Sequence, residues 1–410
     1  MFSYGDFDIG TFNGVHHEIC TLVNTPIFCR TRRIPLAYEE AVGKQIEEML
    51  KHNIIKESDS AWNSPLVVIP KKDSTKIRIC LDYRRLNACT ERPVFHIPSS
   101  QELFDCLGGN SYFSTLDLSK GYYQIPMHPE DACKTAFSTP KGHYEFIQMP
   151  FGLNGAPATF QKALSYVLRE EVGKFCCVYL DDVIVFGRTI EEHNERLFIV
   201  FSKLQSAGIK LSKEKCHLAQ TSVLYLGHII DKDGIRTDPK KVDKIKNWSR
   251  PLYGKDLHSF LGFAGYYRKF IKNFAQLAHP LETLLVRKGH KTQNDLLFWN
   301  KEAENAFDRL KYELCSSPVL AFPIKSGTYI LDTDASHNCI GGVLSQKFPN
   351  GDEKVLYYAS NRLTETECGY CTTRKELLAI VRYLRLFRHY LLGRKFVIRT
   401  DHKSLSWLMQ

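Results

Sequence analysis

Phe175-Cys-Cys-Val-Tyr-Leu-Asp-Asp-Val-Ile-Val-Phe186 is the stretch that decides the fold. Two apolar runs flank Asp181 and Asp182, and runs so rich in aromatic and branched residues are typical of strands buried on both faces. The two aspartates then fall where a hairpin turn would lie. Adjacent buried carboxylates repel each other and remain ionised only when they are paired or bound to a metal ion. A Mg²⁺ site is one interpretation, and an ordinary exposed Asp-Asp turn is the other.

A second strand is predicted within residues 112–126, where it delivers Asp117 and the chain then turns through Gly121. Asp117 lies 64 positions before Asp181, which leaves enough chain for the two strands to lie side by side. A single aspartate at a strand end is more often a cap. If the strands pair, however, three carboxylates meet in the pattern of a two-metal phosphoryl-transfer site.

Composition limits the classes of protein to consider. The 410 residues are 43% hydrophobic and 12% aromatic, which excludes a disordered chain. The net charge of +10 suits a polyanionic partner, and residues 237–290 alone hold eleven basic and four acidic residues. The thirteen cysteines have no zinc or disulfide spacing, which indicates reduced thiols. No signal peptide or membrane span is expected.

Two further stretches suggest binding surfaces. A predicted hairpin places Lys71 and Lys72 before its turn and Lys76 and Arg78 after it, which suits a triphosphate, although edge strands also carry lysine for solubility. Residues 148–161 are rich in Pro, Gly and small residues and precede a helix. A flat base pair could approach the backbone there, or the stretch is an ordinary turn.

Taken in order, these motifs resemble a reverse transcriptase, and specifically the polymerase of gypsy-like LTR retrotransposons, which are relatives of retroviruses. The motifs are Lys71-Lys-Asp-Ser-Thr-Lys76, Leu81-Asp-Tyr-Arg-Arg-Leu-Asn87, Leu116-Asp-Leu-Ser-Lys-Gly-Tyr122, Met149-Pro-Phe-Gly-Leu153, Ala156-Pro-Ala-Thr-Phe-Gln161 and Tyr179-Leu-Asp-Asp182. The first two stretches form one motif, as do the fourth and fifth, and these four ordered motifs at consistent spacing make the resemblance specific. It covers nearly the whole chain.

The resemblance implies roles for particular residues. Asp117, Asp181 and Asp182 would be the catalytic carboxylates and metal ligands, assisted by the Leu118 carbonyl. Other positions would bind the substrates. Lys71 and Arg78 would bind the triphosphate, Phe151 and Gly152 would line the nucleotide pocket, and Tyr122 would act as a steric gate that favours dNTPs. Tyr225 and Gly227, in Val223-Leu-Tyr-Leu-Gly-His228, would bind the primer 3′ end.

The C-terminal third looks like an RNase H domain. Asp334, Glu376 and Asp401 match the first three catalytic acids of that family, again as a two-metal site. Asp332 lies on the same predicted strand, but the motif favours Asp334. The family's fold continues past the point that corresponds to Gln410 and supplies a fourth acid there. We therefore expect an incomplete RNase H unit that cleaves RNA in a hybrid poorly or not at all.

The resemblance implies an α+β fold, a right-hand polymerase followed by a partial RNase H-like α/β domain. The expected regions are an N-terminal arm (1–35), fingers and palm (36–235), a basic helical thumb (236–290), a connection (291–325) and the RNase H-like domain (326–410). Two Mg²⁺ per active site are expected, with Mn²⁺ as a substitute. Expected partners are an RNA template, a DNA primer, an RNA–DNA hybrid, dNTPs, and the protease and integrase of a Pol polyprotein.

The expected location is the cytoplasm, within virus-like particles, with no membrane partner and no prediction of oligomeric state. Two other functions stay open. One is a catalytically silent, domesticated retroelement fragment that binds nucleic acid. The sequence of such a fragment is expected to lack one of the catalytic acids or one of the triphosphate-binding residues. Here the acids Asp117, Asp181 and Asp182 and the basic residues Lys71 and Arg78 are all present. The other is a polymerase restricted to DNA templates.

Overall fold

The computed structural model describes residues 1–5, 7–23, 25–70, 77–91, 93–95, 97–285, 295–316 and 318–408. The chain divides into two compact units. One contains Met1–Cys106 and Asn110–Val223, and the other contains Leu107–Gly109 and Leu224–Gln410. Lys71 lies outside the described residues, so its role in a triphosphate clamp stays a prediction.

The first unit mixes helices and antiparallel strands. Its strands are β1 (Ile55–Glu57), β2 (Leu66–Pro70), β3 (Ile77–Leu81), β4 (Tyr112–Asp117), β5 (Phe137–Thr139), β6 (Gly142–Phe146), β7 (Cys176–Tyr179), β8 (Asp182–Gly187) and β9 (His217–Gln220). Its α-helices are α1 (Glu39–Lys51), α2 (Arg84–Ala88), α3 (Ser100–Asp105), α4 (Ala156–Val167) and α5 (Ile190–Ser206). Short 3₁₀ turns include Gly121–Gln124 and Lys213–Lys215.

The centre of this unit is a four-stranded sheet in the order β7-β8-β4-β9. The two strands predicted around Asp181 and Asp182 are confirmed as β7 and β8, which form an antiparallel hairpin. Val178 on β7 and the run Val183–Phe186 on β8 are buried almost completely, as are Phe113 and Leu116 on β4. Helices α4 and α5 pack against this sheet, so that both faces of the hairpin lose water, which accounts for its unbroken apolar sequence.

The N-terminal arm is packed rather than loose. Phe12, His17 and Ile19 are each buried, and His17 Nδ1 lies 2.8 Å from Thr159 Oγ1 on α4. Sequence periodicity gives no sign of this packing, because the arm contacts the unit through isolated bridges such as that of His17 with Met127.

Burial of His17 makes the stability of the protein depend on pH. Burial lowers the pKa of His17 to about 4, whereas an unfolded histidine titrates near 6.5. Between these values the unfolded chain binds a proton that the folded chain does not, so stability is complete above pH 6.5 and declines as the pH falls. From pH 6.5 to pH 5 we expect a loss of about 2 kcal/mol through this residue. Urea denaturation at the two pH values measures it. His17→Gln should reduce the difference by about this amount, and His228, whose pKa burial lowers to about 3, should keep its own share of the loss. An undiminished loss in that variant contradicts the assignment.

The second unit contains two sheets and a group of helices. Its strands are β10 (Ser222–Tyr225), which begins at the end of the first unit, β11 (His228–Asp231), β12 (Gly234–Thr237), β13 (Thr328–Ala335), β14 (Cys339–Lys347), β15 (Glu353–Arg362) and β16 (Phe396–Thr400). Its α-helices are α6 (Pro239–Lys246), α7 (Gly254–Tyr266), α8 (Phe274–Leu285), α9 (Lys301–Cys315), α10 (Glu365–Cys368), α11 (Thr372–Leu386), α12 (Arg388–Leu391) and α13 (Lys403–Leu408).

Strands β13 to β16 form a mixed sheet in the order β15-β14-β13-β16, in which only β13 and β16 are parallel. Helix α11 packs against β13 and β14 through Ala379 and Tyr383. The Tyr383 hydroxyl donates to the Ile340 carbonyl at 2.8 Å, which satisfies its polar atom inside the core.

Helix boundaries in this unit test the sequence predictions directly. Asp238-Pro239, a capping residue followed by proline, predicts the start of a helix. The structure confirms it as α6, since Asp238 accepts from Lys240 N–H and Pro239 occupies the first turn. The apolar residues from Leu257 to Phe274 predict one helical run, and this prediction is wrong. α7 ends at Tyr266, a 3₁₀ turn follows, and Asn273 adopts a left-handed φ of 56° before α8 begins. A single residue in that conformation prevents a helix from continuing through its position and leaves no periodicity signal.

All thirteen cysteines are free thiols, as their irregular spacing predicts. Across the described residues, no helix combines the length and the hydropathy that a membrane crossing requires.

Candidate active site

The site is built on the turn between β7 and β8, at Leu180, Asp181 and Asp182. Leu180 adopts a left-handed φ of 51°, which costs a leucine about 1–2 kcal/mol and persists only where its surroundings fix it. Gln161 of α4 provides that support: its Oε1 accepts from Leu180 N–H at 2.6 Å and its Nε2 donates to the Val178 carbonyl at 3.1 Å. α4 therefore determines where the two aspartates lie.

Removing this support should be costly. Gln161 is buried, so Gln161→Leu leaves the Leu180 N–H and the Val178 carbonyl without partners. We expect the free energy of unfolding to fall by about 2 kcal/mol or more, measured by urea denaturation. Gln205→Leu, an exposed glutamine on α5, is the matched control, with an expected change within about 0.5 kcal/mol. Equal effects of the two substitutions would argue against a supporting role for Gln161.

The structure brings the three predicted carboxylates together. Asp117 lies directly opposite Asp182 in the pairing of β4 with β8. Burial, and then the Asp182 and Asp117 carboxylates, raise the pKa of Asp181 to about 6. Burial and Asp117 also raise the pKa of Asp182. Asp181 Oδ1 is buried and makes no hydrogen bond to any described residue, which leaves it available to a cation.

Lys215 also belongs to this site, and the sequence gives no indication of it. Its Nζ lies 3.2 Å from Asp117 Oδ1, and its charge lowers the pKa of both Asp181 and Asp182 against the effect of burial. In the sequence it stands in Lys213-Glu-Lys215, a charged run that indicates only a solvated turn. The pairing of β9 with β4 carries this turn to the carboxylates, and that long-range contact has no local signature.

These residues fit a divalent metal ion by their chemistry. Within the described ranges, no three Asp, Glu, His or Cys side chains are already arranged to coordinate one ion, and Asp117 is engaged with Lys215. Even so, two adjacent strands and the turn between β7 and β8 present three carboxylates with hard oxygen donors, and Asp181 has a buried oxygen without a partner in the described part of the chain. Asp117, Asp181 and Asp182 are the residues that would hold Mg²⁺ or Mn²⁺. The part of the Leu118 carbonyl stays a prediction.

The predicted nucleotide pocket is aromatic. The ring of Tyr122 packs 4.9 Å from that of Phe151 and 5.4 Å from that of Phe160, centroid to centroid. Burial and the Asp181 carboxylate raise the pKa of Tyr122 to about 12, so the ring lies beside the acids as a neutral phenol. Gly152 follows Phe151 with a φ of 97°, which favours glycine.

Two other predicted substrate residues are placed separately. Arg78 is exposed on β3, opposite Ile69 of β2. In the second unit, Tyr225 is buried and Gly227 has a φ of 69° in the turn between β10 and β11. Their roles toward triphosphate and primer stay predictions.

The acids at the end of β13 form a second cluster. Glu376 Oε1 accepts from the Ala335 N–H at 3.1 Å, and its Oε2 is buried without a partner among the described residues. Burial, and then Asp401 and Asp334, raise the pKa of Glu376 to about 7. Asp332 instead forms a bidentate ion pair with Arg399 on β16. The geometry thus groups Asp334, Glu376 and Asp401 and leaves Asp332 in a structural pair.

Comparison with known proteins agrees with this geometry. Residues 69–230, which contain the three carboxylates, match the family described as reverse transcriptase (RNA-dependent DNA polymerase), and residues 299–398 match the RNase H-like domain found in reverse transcriptase. The chain is 42% identical over 400 residues to the retrovirus-related Pol polyprotein from transposon 297 of Drosophila melanogaster. The chain belongs to the reverse transcriptases of gypsy-family Pol polyproteins. This reverse transcriptase is also 37% identical over 401 residues to the retrovirus-related Pol polyprotein from transposon gypsy of the same organism.

The match to transposon 297 covers 97% of this reverse transcriptase chain but only 37% of that polyprotein. The match to gypsy covers 95% of this chain and 38% of the gypsy polyprotein. The chain therefore spans little more than a third of the length of these relatives.

Among solved structures, the foamy viral protease-reverse transcriptase dRH in complex with double-stranded DNA matches with a TM-score of 0.89 and 25% identity, covering all of this chain and 70% of that one. A foamy viral protease-reverse transcriptase in complex with RNA/DNA hybrid matches with a TM-score of 0.85 and 25% identity, covering 99% of this chain and 54% of that one. The predicted α+β fold of fingers, palm and thumb with an RNase H-like domain is confirmed.

Proposed function

We propose that this reverse transcriptase chain is an active RNA-directed DNA polymerase, which extends a DNA primer by nucleotidyl transfer on an RNA or DNA template. The observation that carries the proposal is that Asp117 and Asp182 lie opposite each other on paired strands beside Asp181, and that one buried oxygen of Asp181 has no partner among the residues described. A catalytically silent fragment has no reason to retain such a cluster, because three neighbouring acids destabilise the fold that holds them.

In the proposed reaction the primer 3′-hydroxyl attacks the α-phosphorus of a dNTP and pyrophosphate leaves. Two bound Mg²⁺ would supply the charge that activates the hydroxyl and stabilises the leaving group. The chain itself positions the carboxylates. Gln161 of α4 fixes the turn that carries Asp181 and Asp182, and β4 places Asp117 opposite Asp182. Lys215 holds the Asp117 carboxylate in place through their ion pair.

The incoming nucleotide would lie between these acids and the aromatic pocket. Arg78, with Lys71, would bind the triphosphate through charge-assisted hydrogen bonds. Phe151 and Gly152 would line the pocket. The ring of Tyr122, held by Phe151 and Phe160, would occupy the space that a ribose 2′-hydroxyl requires.

A template path is supported by a cavity of about 680 Å³ in the first unit. Its lining includes Asn87, Asn154 and Lys162, together with the start of α4. Amide side chains and a lysine suit the sugar–phosphate backbone of a strand, which is read by shape rather than by sequence. The basic residues of the second unit would add salt-dependent affinity for the duplex.

Primer extension tests the proposal directly. The purified protein is given a DNA primer annealed to an RNA template, the four dNTPs and Mg²⁺, beside the same primer on a DNA template. We expect templated extension on both templates and none when a chelator removes divalent ions. Extension on DNA alone would favour the DNA-restricted polymerase, and binding without extension would favour the silent fragment.

Hybrid cleavage is a second candidate activity. It is favoured by the buried Oε2 of Glu376, which has no hydrogen-bond partner among the described residues, and by Asp401 and Asp334, whose charges act on the same carboxyl group. These three residues would hold the Mg²⁺ of that site. Any RNA cleavage in an RNA–DNA hybrid should be abolished by Glu376→Gln, while primer extension is kept. Cleavage that survives this substitution would place the activity elsewhere. The protease, the integrase and a cytoplasmic virus-like particle are the surroundings that we propose for the full polyprotein.

A further inference from the structure

Two cysteine thiols of the first unit meet where helix α3 ends beside strand β7. Cys106 directly follows α3, and its Sγ donates to the Glu102 carbonyl at 3.3 Å. Cys177 of β7 places its Sγ 3.9 Å from the Leu103 carbonyl. Because Glu102 and Leu103 are consecutive, both sulfur atoms lie against one turn of the same helix. The two thiols are also hydrogen-bonded to each other, so the fold holds them in contact although they lie far apart in the sequence.

The alternation of side chains along β7 explains why Cys177 faces α3. Successive side chains of a strand point to opposite faces of the sheet. Cys176 and Val178 belong to the large hydrophobic core of this unit, and Cys177 between them points to the other face, where it meets the last turn of α3. Cys177 is only 1% exposed, whereas Cys106 is exposed to solvent. The pair therefore consists of one thiol that an oxidant can reach and one that is enclosed behind it.

The two thiols differ in acidity, which suits them to different steps of an oxidation. The hydrogen bond with Cys177 lowers the pKa of Cys106 to about 7, against burial and the Asp105 and Glu102 carboxylates, which raise it. The same hydrogen bond, followed by burial, raises the pKa of Cys177. Near pH 7 about half of the Cys106 side chains are therefore thiolates, and the thiolate is the form that reacts with oxidants. Cys177 remains a protonated thiol beside it.

We propose that Cys106 and Cys177 are an oxidation site, at which a hydroperoxide produces a reversible disulfide between α3 and β7. The Cys106 thiolate attacks one oxygen of hydrogen peroxide and the O–O bond breaks. Hydroxide leaves and is protonated to water, and Cys106 becomes a sulfenic acid. The Cys177 sulfur then attacks the Cys106 sulfur, the S–O bond breaks, and the hydroxyl group leaves with the Cys177 proton as a second water. Two thiols lose two electrons in total, and one peroxide gains them.

Mass spectrometry of the full chain tests the site. The reduced protein is treated at pH 7 with hydrogen peroxide, and the remaining thiols are then blocked with a maleimide under denaturing conditions. We expect two of the thirteen cysteines to be protected from the maleimide, and a cross-linked pair of peptides to contain Cys106 and Cys177. Dithiothreitol should make both thiols reactive again. A chain unfolded in urea before oxidation should show no preference for this pair, because no fold then holds the two thiols in contact.

Substitutions identify the two sulfur atoms. Cys106→Ser changes an exposed residue and should abolish the cross-link, as should Cys177→Ala. Cys176→Ala is the matched control and should retain the cross-link, because that side chain lies on the opposite face of β7. In Cys177→Ala the Cys106 sulfenic acid has no neighbouring thiol to react with and should be trapped by dimedone, a 1,3-diketone.

The order of the two steps has its own measurement. In the reduced parent protein at pH 7, iodoacetamide should alkylate Cys106 about fivefold faster than the exposed Cys20 of the same unit. Equal rates would remove Cys106 as the thiol that reacts first. A parent protein that keeps all thirteen thiols reactive after peroxide, or that forms disulfides between other cysteines only, overturns the proposal. A cross-link that survives Cys106→Ser overturns it as well.

Discussion

Asp181→Asn is expected to lower primer extension by about a thousandfold or more, because in the proposed reaction it removes a charged oxygen that would bind metal where developing charge must be stabilised. Single-turnover extension on an RNA template, with enzyme in excess, measures this effect on the chemical step. Asp59→Asn changes an exposed aspartate of the same unit and should extend primers at the parental rate. Comparable extension by the Asp181 variant and the parent would refute the carboxylate site.

The same substitution should not harm folding. The folded pKa of Asp181, about 6, lies above the unfolded value near 3.9. The folded protein therefore binds more protons between these values, and this residue makes stability fall as the pH rises from about 4 to 6. Asparagine has no charge to desolvate, so the denaturation midpoint of Asp181→Asn at pH 7 should equal or exceed that of the parent. A lower midpoint would mean that Asp181 supports the fold, and lost activity would then need another explanation.

Tyr122→Ala is expected to raise the incorporation of ribonucleotides relative to deoxyribonucleotides by about 10- to 100-fold. The substitution opens the space beside the acids that the ring of Tyr122 fills, and the discrimination available from one such contact is of this size. The measurement is the ratio of kcat/KM for a matched rNTP and dNTP on one template.

Tyr122→Phe is the control for this prediction, because it keeps the ring and its packing on Phe151 and Phe160 and removes only the hydroxyl. Its discrimination should stay within about threefold of the parent, since a small polar change that leaves shape intact alters selectivity little. If alanine and phenylalanine change the ratio equally, the hydroxyl rather than the ring controls selectivity.

The sequence predicted those parts of the site that depend on local pattern. The apolar runs around Asp181 and Asp182 specify a buried hairpin whichever strand pairs with it. Because Asp117 lies at the end of another predicted strand, few strand pairings remain that could bring it to the two aspartates. Lys215 and Gln161 could not be predicted, because each acts through a contact between elements far apart in the chain. Lys215 reaches Asp117 across 98 positions, and no periodicity encodes such a distance.

The same limit applies in the second unit. The apolar positions between Leu257 and Phe274 continue through the break, so their pattern indicates one helix. α7 already ends at Tyr266, and the left-handed backbone of Asn273 then prevents a helix from running through that position into α8. α8 packs on β15, where Ala275 N–H donates to Ser360 Oγ at 2.9 Å. The hydrogen bonds that the Tyr266 and Tyr267 hydroxyls donate to the Leu226 and Gly227 carbonyls have no sequence signature either, because each joins residues 40 positions apart.

Helix α4 links two places that the proposed polymerase must keep in register. Ala158 and Lys162 of this helix line the cavity of the first unit, and Gln161, within one turn of both, hydrogen-bonds the backbone beside Asp181. Because one turn of a stiff helix makes both contacts, a strand bound in the cavity would be held at a fixed distance from the three acids. A bulged or mispaired template there would therefore displace the carboxylates directly.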